Sequence, residues 1–240
     1  MIFPHCTSLV AWDREILRYL TDVHGTGIAD KCGIINFGVN GNPAAFLRHE
    51  HDYGLHNQIL AVGSIIRQRS YIPLIKAFAR LCPDFPELRL KIVGHVYFDE
   101  PIRVAQRLGI ADRVFFTGEL PHEQVLHEIR HSDMYFVSLT ARYLGLGTAT
   151  LESMLMGVPT LANVYPDLLG RVRLEDMRDI ALLENLDPKH IASKIRTLLF
   201  NHVARRNVGQ GGRAFVKKHM SWDVIANDYE TLLHSLRHPA

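Results

Sequence analysis

Six short apolar runs, at residues 59–62, 90–93, 114–117, 135–137, 159–162 and 180–183, punctuate the chain at intervals long enough to hold a helix. None shows the polar–apolar alternation of a sheet with one wet face. Runs of this kind belong to parallel strands covered on both sides. A parallel pair needs a crossover of roughly a dozen residues or more, and the intervening segments supply it. Ile72, Leu74, Ile75, Phe78 and Ala79 recur at helical spacing, as do Val125, Leu126 and Ile129, and then Leu151 and Leu155. Pro121 reads as a helix start. Asp187 followed by Pro188 reads as an N-cap with proline in the first turn. The pattern predicts an α/β chain, a mostly parallel, doubly wound sheet with helices on both faces.

The fourth run leads into Leu144, Gly145, Leu146, Gly147 and Thr148, then Leu151 and Glu152, with Gly157 and Pro159 ending the helix-like segment. Glycines between a strand and a helix let backbone N–H groups approach an anion, and the helix N-terminus adds a partial positive charge. Glu152 falls roughly one turn into the helix. Its two carboxylate oxygens can accept from neighbouring hydroxyls, as on a ribose. The layout points to a nucleotide-diphosphate site. The glycines alone fit equally well a helix start that merely needs small residues.

These residues resemble the nucleotide-sugar motif of the GT-B glycosyltransferases, in the retaining family called group 1 or family 4. There, two glutamates bracket a Gly-Phe-Gly-like turn. Here the second glutamate is Glu152, the turn is Gly145-Leu146-Gly147, and Leu144 holds the place of the first glutamate. Other stretches match in order. Residues 59–63 resemble the first strand and glycine turn of the donor domain, 74–78 the following helix, and 90–94 and 113–118 the next two strands. Residues 132–138 resemble the strand before the motif, and Ser221-Trp222 the start of the closing helix. The resemblance covers about residues 32–236. It implies the C-terminal half of a GT-B enzyme, a Rossmann-like domain that takes a nucleoside-diphosphate sugar as donor substrate and needs no other cofactor and no structural metal.

The resemblance also implies roles. Glu152 would hold the ribose and Arg69 the diphosphate. Amides at Gly145, Gly147 and Thr148 would meet the phosphate or sugar, and backbone from Thr117 and Gly118 to Leu120 would face the base. Gly63 and Ser64 would form the first phosphate-side loop, with Ser64 where the family has an arginine. Arg67 is out of register for that task. Leu144 offers neither charge nor acceptor.

On the same resemblance, residues 1–55 are a remnant of the acceptor domain with its linker, 56–200 the nucleotide-sugar-binding domain, and 201–240 C-terminal helices. Within the remnant, 12–21 reads as one helix, with Trp12, Ile16, Leu17 and Leu20 at helical spacing; 34–38 reads as one strand, and Gly41, Asn42 and Pro43 as a loop. Trp222 reads as core or interdomain packing, with Ile225, Tyr229 and Leu232 continuing its stripe. A full acceptor domain does not fit in 55 residues. Three readings stay open: the donor half of a transferase, a non-catalytic nucleotide-binding module or fragment, and one subunit of a split enzyme. The uncovered apolar stripes predict self-association or a partner chain.

A formal charge of +2 over 240 residues is too small to imply nucleic acid as a main partner, and none is expected. The fourteen histidines are scattered without a metal-binding pattern. Cys6, Cys32 and Cys82 form no CxxC pair, which reads as reduced thiols in a cytoplasmic protein. No apolar stretch reaches about 18 residues, so no transmembrane helix is expected, and peripheral contact with a membrane stays open.

Overall fold

The computed structural model describes residues 6–40, 53–69, 71–137 and 145–237. The loop expected at Gly41, Asn42 and Pro43 lies outside them, as do Ser138 and Leu144.

A small unit comes first. Parallel strands β1 (Leu9–Ala11) and β2 (Cys32–Ile34) are joined by helix α1 (Arg14–His24) and a 3-10 turn, Thr26–Lys31. Its core is Ala11, Ile16, Ile28 and Cys32. Asp13 caps α1, Oδ1 accepting from the Ile16 amide at 2.8 Å. The helix expected over 12–21 therefore starts later, because the cap leaves Trp12 outside. Trp12 instead stacks on Phe37, ring centroids 4.9 Å apart. The strand expected over 34–38 is corrected too: it ends at Ile34. Beyond it, the Asn36 side-chain amide donates to the Trp12 carbonyl at 2.7 Å. That local bond competes with ladder pairing.

The main sheet holds β3 (Gln58–Val62), β4 (Arg89–Val93), β5 (Val114–Phe116), β6 (Met134–Val137), β7 (Thr160–Ala162) and β8 (Ala181–Leu182). All its pairs are parallel, in the order β5-β4-β3-β6-β7-β8. The chain runs outward from β3 to one edge and then crosses to β6 on the other side. The carboxyl ends of β3 and β6 thus flank a switch point, where open α/β sheets form a crevice.

Successive residues of β3 serve opposite cores, as the period of a strand requires. Ile59 and Ala61 join α2 (Ile72–Leu81), α3 (Glu100–Arg107) and α6 (Pro188–Phe200). Leu60 joins Tyr135 and Val137 under α4 (His122–Arg130), α5 (Thr148–Leu155) and α7 (His202–His219). All three β3 residues are fully buried, and each large aliphatic side chain so placed contributes about 1.5–3 kcal/mol. α6 starts as the sequence predicts: Asp187 accepts from the Lys189 and His190 amides, at 2.7 and 3.3 Å, and Pro188 follows.

Two polar groups set how the chain enters β3. The Asp133 carboxylate accepts from the amides of His56, at 2.7 Å, and Gln58, at 3.0 Å. The Arg205 guanidinium is buried and donates to the carbonyls of Leu198, Leu199 and Tyr53 at 2.7, 2.7 and 2.9 Å.

The closing helix α8 (Trp222–Arg237) returns to the small first unit. Val39 pairs with Ser221 in an isolated parallel bridge. The Val39 amide donates to the Met220 carbonyl at 2.9 Å, and the Trp222 amide donates to the Val39 carbonyl at 3.3 Å. The Trp222 ring rests on Gly38, where a Cβ would stand 2.6 Å from it. Trp222 is thus a packing residue between the two ends of the chain, 48% exposed. Among the described residues, no helix is long and apolar enough to cross a membrane.

Candidate functional site

β3, β4 and β5 each run into a glycine of positive φ: Gly63 at 138°, Gly94 at 144° and, just past β5, Gly118 at 72°. The Gly63 amide donates to the Val93 carbonyl at 2.7 Å, and the Gly94 amide to the Gly118 carbonyl at 2.8 Å. A Cβ on Gly94 would overlap the Gly63 carbonyl. The strand ends therefore meet through bare backbone, packed too closely at Gly94 for any side chain. Thr117 is exposed, its hydroxyl donating to the Gly118 carbonyl at 2.9 Å. Leu120 is half-buried against the core under α4 and α5.

Arg69 lies against these strand ends. A Cβ on Gly63 would overlap its guanidinium, and the Tyr71 hydroxyl donates to the Gly63 carbonyl at 3.0 Å. Ser64 is half-buried in the same loop. Arg67 is engaged elsewhere, its guanidinium 4.5 Å above the Phe98 ring.

On the other side of the switch point, α5 opens with Gly147 as N-cap and Thr148 as first residue. Both are exposed, and no side chain caps the helix. Its leading N–H groups carry the partial positive charge of a helix start. Gly145, at φ 47°, precedes them. Glu152 sits on α5 with its side chain 21% exposed, and its Oε1 lies 2.8 Å from His122 Nε2 at the start of α4.

Arg69 and Glu152 meet electrostatically at Tyr135 on β6. Burial pushes the Tyr135 hydroxyl up to about 12; a hydrogen bond with Thr150 and the charge of Arg69 pull it down, and Glu152 pushes it up. That hydroxyl lies 3.5 Å from the Val62 carbonyl, at the end of β3. Thr117, Gly118 and Leu120 lie further out along the same edge, joined to these strand ends through the Gly94–Gly118 bond. Leu144 is not among the described residues.

Two residues here carry no motif signal, His122 and Asp13, and Tyr135 is marked only as part of the strand before the motif. Asp13 shows only the residue type of an N-cap. It is 1% exposed, its Oδ2 has no hydrogen-bond partner, and a Cβ on Gly145 would overlap that oxygen. Burial raises its pKa, against amide hydrogen bonds from Ile16 and Glu15 that lower it. The folded chain then holds this proton more tightly than the unfolded chain. The resulting stability is fully present below the ordinary aspartate range and is lost as pH rises through the folded value. Asn is as good an N-cap as Asp, so Asp13→Asn keeps the cap and removes the titration. The wild-type urea midpoint is expected to fall relative to that of Asp13→Asn as pH rises through and above the ordinary aspartate range. A gap that stays constant over that range would mean that Asp13 titrates normally.

Comparisons with known proteins identify the family and the fold. The family model described as glycosyl transferases group 1 matches residues 48–215. An uncharacterized glycosyltransferase of Methanocaldococcus jannaschii is 25% identical, over 73% of this chain and 44% of its own length. A GDP-mannose-dependent monoacylated alpha-(1-6)-phosphatidylinositol monomannoside mannosyltransferase of Corynebacterium glutamicum is 24% identical, over 71% of this chain and 45% of its own length. The chain thus spans under half the length of these relatives. Among solved structures, Anabaena HepE in complex with UDP and glucose superposes with a TM-score of 0.80 at 17% identity, over 98% of this chain and 64% of that one.

Proposed function

The chain belongs to the group 1 glycosyl transferases, with the fold of their C-terminal GT-B domain, and from that premise we propose that it binds a nucleoside-diphosphate sugar for retaining transfer to an acceptor. One observation carries the reading: at the switch point between β3 and β6, the Arg69 guanidinium lies against Gly63 on one side and Glu152 sits on α5, one turn past an uncapped helix start, on the other. A cation over bare backbone suits a diphosphate. A carboxylate a turn away from a helix start suits a ribose diol. The Gly147 and Thr148 amides add donors on the phosphate side, and the backbone from Thr117 to Leu120 faces the base.

In such a transfer the acceptor oxygen bonds to the anomeric carbon, and the bond from that carbon to the diphosphate breaks. The acceptor's proton leaves with the nucleoside diphosphate. Arg69 and the helix-start amides stabilise the charge that develops on the departing oxygen. Leu144 supplies no carboxylate to the sugar, and the chain spans under half the length of the curated relatives it matches. Transfer is therefore expected only together with an acceptor domain, from a longer polypeptide or a partner chain.

Calorimetric titration with UDP, GDP and ADP tests donor binding; failure of all three to bind would overturn it. Arg69→Ala is expected to weaken a nucleoside diphosphate by about 1.5–3 kcal/mol, the usual worth of a hydrogen bond to a charged group, and to leave the free nucleoside unchanged. Equal losses for both ligands would remove Arg69 from the phosphate position.

A further inference from the structure

Asp13 belongs to the small first unit, yet its side chain meets the glycine turn before α5. Its two oxygens have different surroundings. Oδ1 accepts from the Ile16 amide at 2.8 Å and caps α1. Oδ2 is buried without a hydrogen-bond partner and lies against Gly145, where a Cβ would overlap it. Trp12 Nε1 approaches the same point, 3.1 Å from that Cβ. Gly145 holds φ at 47°, two residues before Gly147, the N-cap of α5. A serine would cap α1 with a single oxygen. The second oxygen of Asp13 is an unpaired polar atom in a desolvated place, a cost that capping does not require.

The charges around Asp13 leave this oxygen uncompensated. Burial, and to a lesser degree the like charge of Glu15 on α1, favours the neutral carboxyl, against the amide bonds that favour the anion. Glu15 is in turn ion-paired with Arg18. Arg14 is turned elsewhere: its guanidinium donates to the Gly170 carbonyl at 3.2 Å and lies 3.6 Å from Asp167. On the other side of Gly145, Gly147 and Thr148 stand exposed at the uncapped helix start. A sugar nucleotide seated on their amides brings the charges of a diphosphate close to a carboxyl that already leans toward protonation. Like charges in a poorly solvated place push such a carboxyl further that way.

We propose that Asp13 is a positioning residue of the donor site, which acts through Gly145 and takes up a proton from solvent when a nucleoside-diphosphate sugar binds at the glycine turn. The inference rests on the donor reading above. Proton uptake makes affinity fall as pH rises. The test is calorimetric titration of the full chain with UDP-glucose, GDP-mannose and ADP-glucose, whose own charge is constant over the range used. Titrations run from about pH 4.5 to pH 8, in two buffers of different ionisation enthalpy, count the protons exchanged. Asp13→Asn and Asp13→Ser both keep an N-cap and cannot titrate. Protons exchanged by other groups, His122 among them, cancel in the comparison. The wild type is expected to take up more protons than either variant. Its Kd should rise about tenfold relative to theirs across the range, the equivalent of a one-unit change in the Asp13 pKa. A purely structural Asp13 would instead change Kd by one factor at every pH. Equal proton counts in the wild type and both variants, with a sugar nucleotide bound, would overturn the assignment and leave the donor reading standing. Failure of the wild type to bind any of the three would overturn both.

Discussion

Replacing Glu152 by alanine is expected to weaken binding of a nucleoside diphosphate by about 1–3 kcal/mol, roughly 5- to 150-fold in Kd, with the fold intact. The fold survives because the Glu152 side chain makes its hydrogen bond to His122, whose own side chain is 66% exposed. Exposed pairs of this kind are worth little to stability, about 0–1 kcal/mol. The loss on binding is larger because the carboxylate would exchange a solvated histidine for two ribose hydroxyls inside the crevice. A second ligand makes the test specific. A nucleotide lacking the ribose hydroxyls should bind the wild type and Glu152→Ala alike, because the interaction is already gone. Calorimetry on the four combinations reads the coupling directly. A coupling of zero, with both ligands losing equally, would take Glu152 off the ribose.

Gly94→Ala is expected to cost about 3–4 kcal/mol of stability. Two effects add. Gly94 holds φ at 144°, a region essentially reserved for glycine and costing about 1–3 kcal/mol for other residues. The new methyl would also overlap the Gly63 carbonyl, and overpacking a rigid site costs about 1–3 kcal/mol. Neither backbone can yield cheaply. The Gly63 amide is bonded to Val93 and the Gly94 amide to Gly118, so movement at one strand end disturbs all three. For a chain of this size each kcal/mol lowers Tm by about 2–4 °C, giving a fall of roughly 10 °C by calorimetry. A midpoint within experimental error of the wild type would show that the strand ends are not in contact.

Much of this architecture is legible from residue patterns. Buried parallel strands leave unbroken apolar runs, so 59–62 and 90–93 differ from the observed strands at one end only. Asp187 and Pro188 mark the start of α6 through local chemistry alone. The small first unit is harder to read. Its strands have three residues each, too few for a period to emerge, and its helix start depends on Asp13 pulling the boundary past Trp12. α7 also runs against propensity, since Gly209, Gly211 and Gly212 all lie within it. Tertiary packing decides the matter: a Cβ on Gly211 would overlap the Arg178 carbonyl, and one on Gly209 the Gly157 carbonyl. These glycines admit a close approach that outweighs roughly 1 kcal/mol each of helix propensity.

The candidate site divides in the same way. Gly147, Thr148 and Glu152 stand in the pattern of a strand–turn–helix, whereas Gly63, Arg69 and Gly118 are picked out by the family resemblance. His122 and Tyr135 come from other elements, and only the strand order brings them to Glu152 and Arg69. Asp13 is more distant still, more than a hundred residues from the glycine turn it abuts.

The contact between Val39 and Ser221 works as a clasp. It fastens the segment that leaves the small first unit to the corner where the last helix begins, with the Trp222 ring laid on Gly38 as its cover. Shortening the chain at its far end would therefore be felt at its beginning. Removing α8 strips the indole from Gly38 and the Trp222 amide from the Val39 carbonyl, leaving the Met220 bond to hold the strap. Two segments remote in sequence are thereby held together, alongside the bonds that Arg14 donates to the carbonyls of Leu168 and Gly170.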